Sequence, residues 1–234
     1  MRLWHAMLLA AALLATGCAA VRPPAPVDAA TTPAAPPDFD ASYYRNANER
    51  GRPVYRIEPG DSQVLVRVYR AGRLARLGHD HVVSSREPRG FIDAEKGRCD
   101  LYIAVESLVV DDPAQRAAAG FDSTPSESDI AGTRSNMLEK VLEAERFPFV
   151  VVRVGTVSQG VIEAEISLHG VTRPVRIPGK IDLSPERIDV AGSFALNQSD
   201  FGIEPFSVLG GALAVQDRVE LSFAIRAVRM APLQ

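Results

Sequence analysis

Ile162-Glu163-Ala164-Glu165-Ile166-Ser167-Leu168 decides the fold class of this chain. Apolar and polar residues alternate at every step, the period of a strand whose successive side chains point to opposite faces of a sheet. The same period runs through Val64, Val66 and Val68, through Leu101, Ile103 and Val105, and through Val219, Leu221, Phe223 and Ile225. Further strand candidates are Val54–Glu58, Gly90–Ala94, Phe149–Val154, Arg173–Asp182 and Ile188–Leu196. About eight or nine strands, separated by turn residues, predict an all-β antiparallel sandwich or barrel.

One segment departs from this period. Between Ser126 and Glu145 the apolar positions are Ile130, Met137, Leu138, Val141 and Leu142, which share one face of a helix. Ser126 or Ser128 is placed to cap its start, and Phe147-Pro148 returns the chain to strand. A single helix among strands covers a sheet face or an open barrel end. The stretch Asp111–Ser126, rich in Ala, Gly, Asp and Ser, reads as a loop leading into it.

The region before the strands has a different composition. Met1-Arg2 opens with one charge, an apolar run follows from Ala6 to Ala15, and Leu14-Ala15-Thr16-Gly17-Cys18 ends it. That is the layout of a secretion signal, too short to span a bilayer, with small residues at a cleavage point. The cysteine at that point resembles a lipobox, whose cleavage leaves an acylated Cys18, palmitate among its chains; the bland alternative is an ordinary signal. Pro23, Pro24, Pro26, Pro33, Pro36 and Pro37 then favour extended backbone and block helix or ladder formation. The organisation read here is a signal over 1–17, a lipidated N-terminus and tether over 18–52, and a β domain over 53–230. The expected place is the periplasmic side of the cell envelope, held at the outer membrane through Cys18.

Bulk properties exclude several classes. The 234-residue chain has a formal charge of −3 and 24% charged residues, without a cationic cluster able to neutralise nucleic-acid phosphates. Of its two cysteines, Cys99 falls in a strand pattern and reads as a small buried hydrophobe. The chain has no Gly-x-Ser-x-Gly elbow, phosphate loop or His-Glu-x-x-His pair, so no catalytic residue is assigned.

Several segments in register resemble the YceI-like polyisoprenoid-binding family. They are Tyr55-Arg56-Ile57-Glu58 with Asp61-Ser62-Gln63-Val64, and Met137-Leu138 through Arg146-Phe147-Pro148-Phe149-Val150. The best match is Ser167-Leu168-His169-Gly170-Val171-Thr172-Arg173-Pro174-Val175, followed by Ser199-Asp200-Phe201-Gly202-Ile203 and the strand after Asp217-Arg218-Val219. The resemblance implies a lipocalin-like barrel of about eight strands with one inserted helix, holding an isoprenoid quinone, a polyisoprenoid or a similar amphiphile without catalysis. Leu74-Ala75-Arg76-Leu77-Gly78-His79-Asp80-His81-Val82-Val83 departs from the family pattern, which implies a branch whose ligand need not be the polyisoprenoid that gives the family its name.

A barrel of this size is just wide enough for one slender ligand, and each buried methylene of a tail contributes about 0.8 kcal/mol. Candidate lining residues are Val64, Val66, Val68, Phe149, Val151, Phe201 and Phe206, with inward parity unsettled because a one-residue slip inverts it. His79 and His81 lie two apart, so an extended segment turns both imidazoles to one side, toward a head group or a metal. That pair supports an alternative, a metal-handling or redox-accessory envelope protein. A ligand-free structural module is a third reading. His169 is expected to serve its turn through backbone near Gly170, Asp111 and Asp112 to form a solvated turn, and Arg73, Arg76, Arg86 and Arg89 to group near the histidines.

Overall fold

A computed structural model of the chain describes residues 34–121 and 123–231. The expected signal and lipobox, Cys18 included, lie outside the described residues. Residues 34–234 form one compact unit. Among the described residues it holds fourteen strands. They are β1 Val54–Ile57, β2 Gln63–Val68, β3 Arg70–Ala71, β4 His81–Ser85, β5 Arg89–Asp93, β6 Arg98–Ala104 and β7 Val109–Val110. After a helical insert come β8 Phe149–Ser158, β9 Val161–Leu168, β10 Val171–Leu183, β11 Arg187–Asn197, β12 Ser207–Val208, β13 Leu213–Val215 and β14 Arg218–Arg229.

The sheet closes. Its order is β1-β5-β6-β8-β9-β10-β11-β14, and β14 pairs back onto β1, giving a closed eight-stranded antiparallel barrel. β2, β4 and β7 prolong β1, β5 and β6 in that order. The first half of β14 pairs with β2 (Phe223 opposite Val64), and its second half with β1 (Ala227 opposite Ile57). Closure removes the free edges that an open sheet would expose. Every pairing among the described residues lies within this unit.

The alternating pattern becomes an inside and an outside. Tyr55, Ile57, Cys99, Ile188, Ile225 and Ala227 pack together inside, with Val64, Leu101, Val154, Val190 and Phe223 against them. Ile162, Ala164 and Ile177 continue that wall, and Ile166, Phe201 and Ile203 extend it toward one end. Gly192 leaves room for a neighbouring ring: a Cβ there would stand 2.8 Å from Phe223 Cζ and 2.6 Å from the Pro178 carbonyl oxygen.

The helical insert holds more than one helix. α2 (Pro113–Ala119) and α3 (Glu127–Asn136) lie between β7 and β8, and α3 runs into a wider turn at Met137–Val141. The expected loop at Asp111–Ser126 therefore contains α2. Asp112 caps it by accepting from Gln115 N–H, with Pro113 in its first turn. Ser126 caps α3, completing a reciprocal capping box with Asp129. Leu138, Ala144 and Val105 bury the segment, and Val141 and Leu142 pack on the wall around Phe201.

The expected tether is shorter than the sequence reading gave. α1 (Ala41–Glu49) packs on the outer wall, with Tyr44, Ala47 and Val54 buried together. Phe39 stacks on Phe91 and meets Tyr102 edge-on, and Tyr44 donates to Asp100 at 2.9 Å. Two aromatics and a buried tyrosine repay the ordering of about fifteen residues that composition had assigned to a spacer.

Candidate functional site: an apolar inner wall with a polar end

Topology gathers the loops 69–80, 105–148, 169–170 and 198–217 at one barrel end, because β2 and β11 finish there while β4, β8, β10 and β14 begin there. His81 opens β4 opposite Val68, so its side chain follows the face of Val64, Val66 and Val68 toward the interior. His81 Nδ1 lies 2.6 Å from Asp111 Oδ2, and its side chain is 15% exposed. This contact orients the ring and leaves Nε2 as its free polar atom.

Asp111 is the hub of that end. Its side chain is fully buried, and its Oδ1 accepts from Val82 N–H at 3.0 Å and from the Arg116 guanidinium at 2.6 Å. Burial pushes the Asp111 carboxyl up, but the hydrogen bonds from His81, Val82 and Arg116 outweigh it and hold the group below its ordinary value. Arg116 also donates to the Asp80 and Ser123 carbonyl oxygens, each at 2.6 Å. Asp111 holds a backbone φ of 55°, a conformation that aspartate tolerates better than most residues. The solvated turn expected at Asp111 is thus a buried charge network, and only Asp112 serves as a cap.

His79 stands beside it, its ring centroid 6.4 Å from that of His81. Its Nδ1 is buried without a hydrogen-bond partner. Asp129, at the start of α3, is held below its ordinary value by Ser126 first, with His79 contributing. Among the described residues no group of three or more His, Cys, Asp or Glu side chains is placed to hold a metal ion. A carboxylate behind one ring nitrogen is also common behind metal-bound histidines, so it is the lack of a third ligand among the described residues that makes the pair suit a polar head group better than a transition metal.

The other expected residues divide by face. Val64 packs on the interior cluster, Val66 lies between Leu221 and Val83, and Val68 shares their side. Phe201 is 1% exposed and closes the wall with Ile166, Phe194 and Leu196. Phe149 and Val151 turn outward: Phe149 meets Tyr102 edge-on at 5.8 Å, and Phe39 meets that same Tyr102 ring. Their neighbours Val150, Val152 and Val154 face in. The parity slipped by one residue because both faces of β8 are apolar, and alternation gives no signal there. Phe206 is half-buried at the polar end, outside the packed clusters.

His169 meets Glu143 at 3.2 Å and tilts against Phe147 at 4.5 Å, instead of bonding backbone near Gly170. The four arginines do not assemble. Arg86 donates to the Gly60 carbonyl and Arg89 pairs with Glu87, away from the histidines, whereas Arg73 and Arg76 stand exposed at the polar end. Cys99 is buried, and burial pushes its thiol up to about 12.

The inner wall is apolar yet not sealed. Val64, Val66, Val68, Leu101, Val152, Val154, Val175, Val190, Phe194, Leu221 and Phe223 are all half-buried although they face inward. A filled barrel would bury them as fully as Ile57 or Ala227, at 1% and 0% exposure. Two concavities of about 230 and 670 Å³ touch this wall at Val190 and Ile225 and at Val154, Ala164 and Val175, and both are edged by charged groups such as Lys180, Asp182, Arg153 and Glu165. Neither is a hydrocarbon site by its lining.

A closed antiparallel barrel with a helical insert between its seventh and eighth strands is the geometry to which known proteins compare. The YceI-like domain matches residues 55–227. The chain belongs to the YceI-like family. Among solved structures, a polyisoprenoid binding domain from Saccharophagus degradans, implicated in plant cell wall breakdown, is 14% identical with a TM-score of 0.54. The match covers 75% of this chain and 98% of that one. BcnA of Burkholderia cenocepacia is 12% identical with a TM-score of 0.51, covering 74% and 99%. At these identities the likeness establishes the fold. No curated protein sequence matches the chain.

Proposed function

We propose that this YceI-like domain is a non-catalytic carrier that holds an amphiphilic lipid, an isoprenoid or a quinone by class, with its tail along the inner wall and its polar head toward His79 and His81. One observation carries the reading: apolar side chains on the inner face are left half-buried within a closed barrel. Accessible apolar surface of that extent is unfavourable in water unless something covers it. A slender chain of methylenes fits a barrel of this strand number, and its burial supplies affinity without directional contacts. The description of the Saccharophagus degradans relative as polyisoprenoid binding supports the same ligand class.

The polar end suits the other half of such a molecule. His81, oriented by Asp111, presents Nε2, and His79 presents a buried nitrogen without a partner. With the Nδ1 proton given to the Asp111 carboxylate, neutral His81 offers Nε2 as an acceptor and His79 donates or accepts by tautomer, so a hydroxyl head group matches the pair and a quinone carbonyl matches His79. The further elements of the proposal are acylation at Cys18 and residence on the periplasmic side of the envelope, at the outer membrane. They rest on the Leu14–Cys18 pattern and the proline-rich stretch after it.

The test is to purify residues 34–234, extract the protein with organic solvent and identify the extract by mass spectrometry. Stoichiometric isoprenoid in the extract, or uptake of offered quinones and isoprenoid alcohols, is the expected result. An empty extract together with no uptake would refute the carrier reading. Palmitate labelling of the full chain, compared with Cys18→Ser, tests the anchor separately.

A further inference from the structure

Arg73-Leu74-Ala75-Arg76-Leu77 and Ser207-Val208-Leu209-Gly210-Gly211 come from distant parts of the sequence and form one surface at the polar end of the barrel. β3 pairs with β13 there, Ala71 opposite Ala214 and Arg70 opposite Val215. Leu74 N–H donates to the Ala212 carbonyl at 2.7 Å. Gly72, at φ +87°, lies so close that a Cβ on it would stand 2.5 Å from that same oxygen. The two loops are therefore held as a unit, and their tips are not independent.

The tips are apolar and exposed. Leu209 is 73% and Leu77 66% exposed, the two highest values among the large hydrophobic residues described, and Val208 beside Leu209 is 38% exposed. Leu209 also adopts a φ of 53°. That conformation suits Gly or Asn in a hairpin tip, and a leucine adopts it at a cost. Holding a large apolar side chain outward, in a strained conformation and without packing, has no stabilising role within the domain.

Along the two loops themselves the charge has one sign. Residues 70–79 and 205–216 contain no Asp or Glu, in a chain whose formal charge is −3. Arg70 is engaged by Asp80. Arg73 and Arg76 are exposed and make neither a hydrogen bond nor an ion pair among the described residues. The third strongly exposed leucine, Leu183 at 64%, differs in this respect, because Asp182 and Glu186 flank it.

We propose that this end of the barrel is a membrane-docking face: Leu77, Val208 and Leu209 enter the interfacial region while Arg73 and Arg76 meet anionic phospholipid head groups. Leucines flanked by arginines match a surface that is apolar below and negative above. A protein partner or a second copy of the chain would equally cover the leucines. In a symmetric contact a second copy would set these loops, which carry no carboxylate, against each other, whereas anionic lipid pairs both arginines and covers the leucines at once. The face lies within a few residues of His79 and His81, yet docking does not depend on what the barrel holds.

Residues 34–234 contain no tryptophan, since the single one in the chain is Trp4. Leu209→Trp in that fragment is therefore a lone reporter at the tip. With vesicles of phosphatidylcholine plus phosphatidylglycerol, the fragment should co-sediment, and the Trp emission should shift to the blue and be quenched by brominated acyl chains. Arg73→Gln with Arg76→Gln should weaken partitioning about thirtyfold at low salt, and Leu77→Ser with Leu209→Ser should abolish it. Circular dichroism of each variant should match the parent, because all four residues are exposed. Binding without a shift at Leu209→Trp, binding indifferent to the arginines, or no binding to these vesicles would each overturn the proposal. Dimerisation that the leucine substitutions remove, without vesicle binding, would assign the face to a second copy instead.

Discussion

Replacing Asp111 by Asn keeps the shape of the hub and removes its charge. The Arg116 guanidinium, with its side chain only 6% exposed, would then lose its ionic partner, and His81 Nδ1 would face an amide. Breaking a buried pair on one side costs about 3–5 kcal/mol, because the remaining charge stays desolvated. For a domain of this size each kcal/mol moves the unfolding midpoint by about 2–4 °C, so a fall of roughly 6–20 °C is expected at pH 7. The pH dependence has a definite sign. The Asp111 carboxyl is held below its ordinary value of 3.8, so its contribution is fully present above that value and is lost as the pH falls through the lower folded value. The gap between wild type and Asp111→Asn should therefore narrow below pH 4. Arg116→Met combined with Asp111→Asn should cost less than the two single changes summed, since neither charge is then left alone. Thermal melts and urea titrations of the four proteins at neutral and acid pH measure all three quantities. A loss below about 1 kcal/mol, or one unchanged between neutral and acid pH, would refute the reasoning.

Val66→Phe projects a larger group from the inner wall and should reduce lipid retention in the extraction assay, whereas Phe149→Ala, on the outer wall, should lower stability by roughly 2–3 kcal/mol and leave retention intact; the reverse pattern would mean that the inner and outer faces are misassigned. Gly192→Ala should lower the urea midpoint by an amount corresponding to about 1–3 kcal/mol, because its Cβ meets the Pro178 carbonyl and the Phe223 ring, and an unchanged midpoint would show that the ring moves aside freely. Cys99, its thiol pushed up to about 12 by burial, should stay unlabelled by a disulfide reagent at pH 8 until the domain is unfolded in guanidinium; rapid labelling of the folded domain would contradict the packing of β6.

Strand content was legible wherever one face of a strand is apolar and the other polar. The alternation along 162–168 and 219–225 reappears residue for residue as β9 and β14, with Ile162, Ala164, Ile166, Phe223 and Ile225 inside. It failed at β8, where Phe149 packs on Tyr102 on the outer side and Val151 is buried although it faces outward. Nothing local in Phe149–Val154 separates a wall covered on both sides from one facing a lumen. The capping residues Ser126 and Asp112-Pro113 carried readable helix-start chemistry, but α2 has little apolar periodicity and reads as loop without it.

The sequence by itself determined what short-range physics controls: the two-residue period, the helix after Ser126, the absence of nucleic-acid charge and the motifs that mark a YceI-like chain. Only the tertiary structure decided which face of each strand is inside, because that depends on closure between β1 and β14 and on what covers the outer wall. The same holds for Asp111. Its neighbours in the chain suggest a wet turn, whereas its partners His81 and Arg116 reach it from β4 and α2, and a buried charge is defined by partners that spacing along the chain does not reveal.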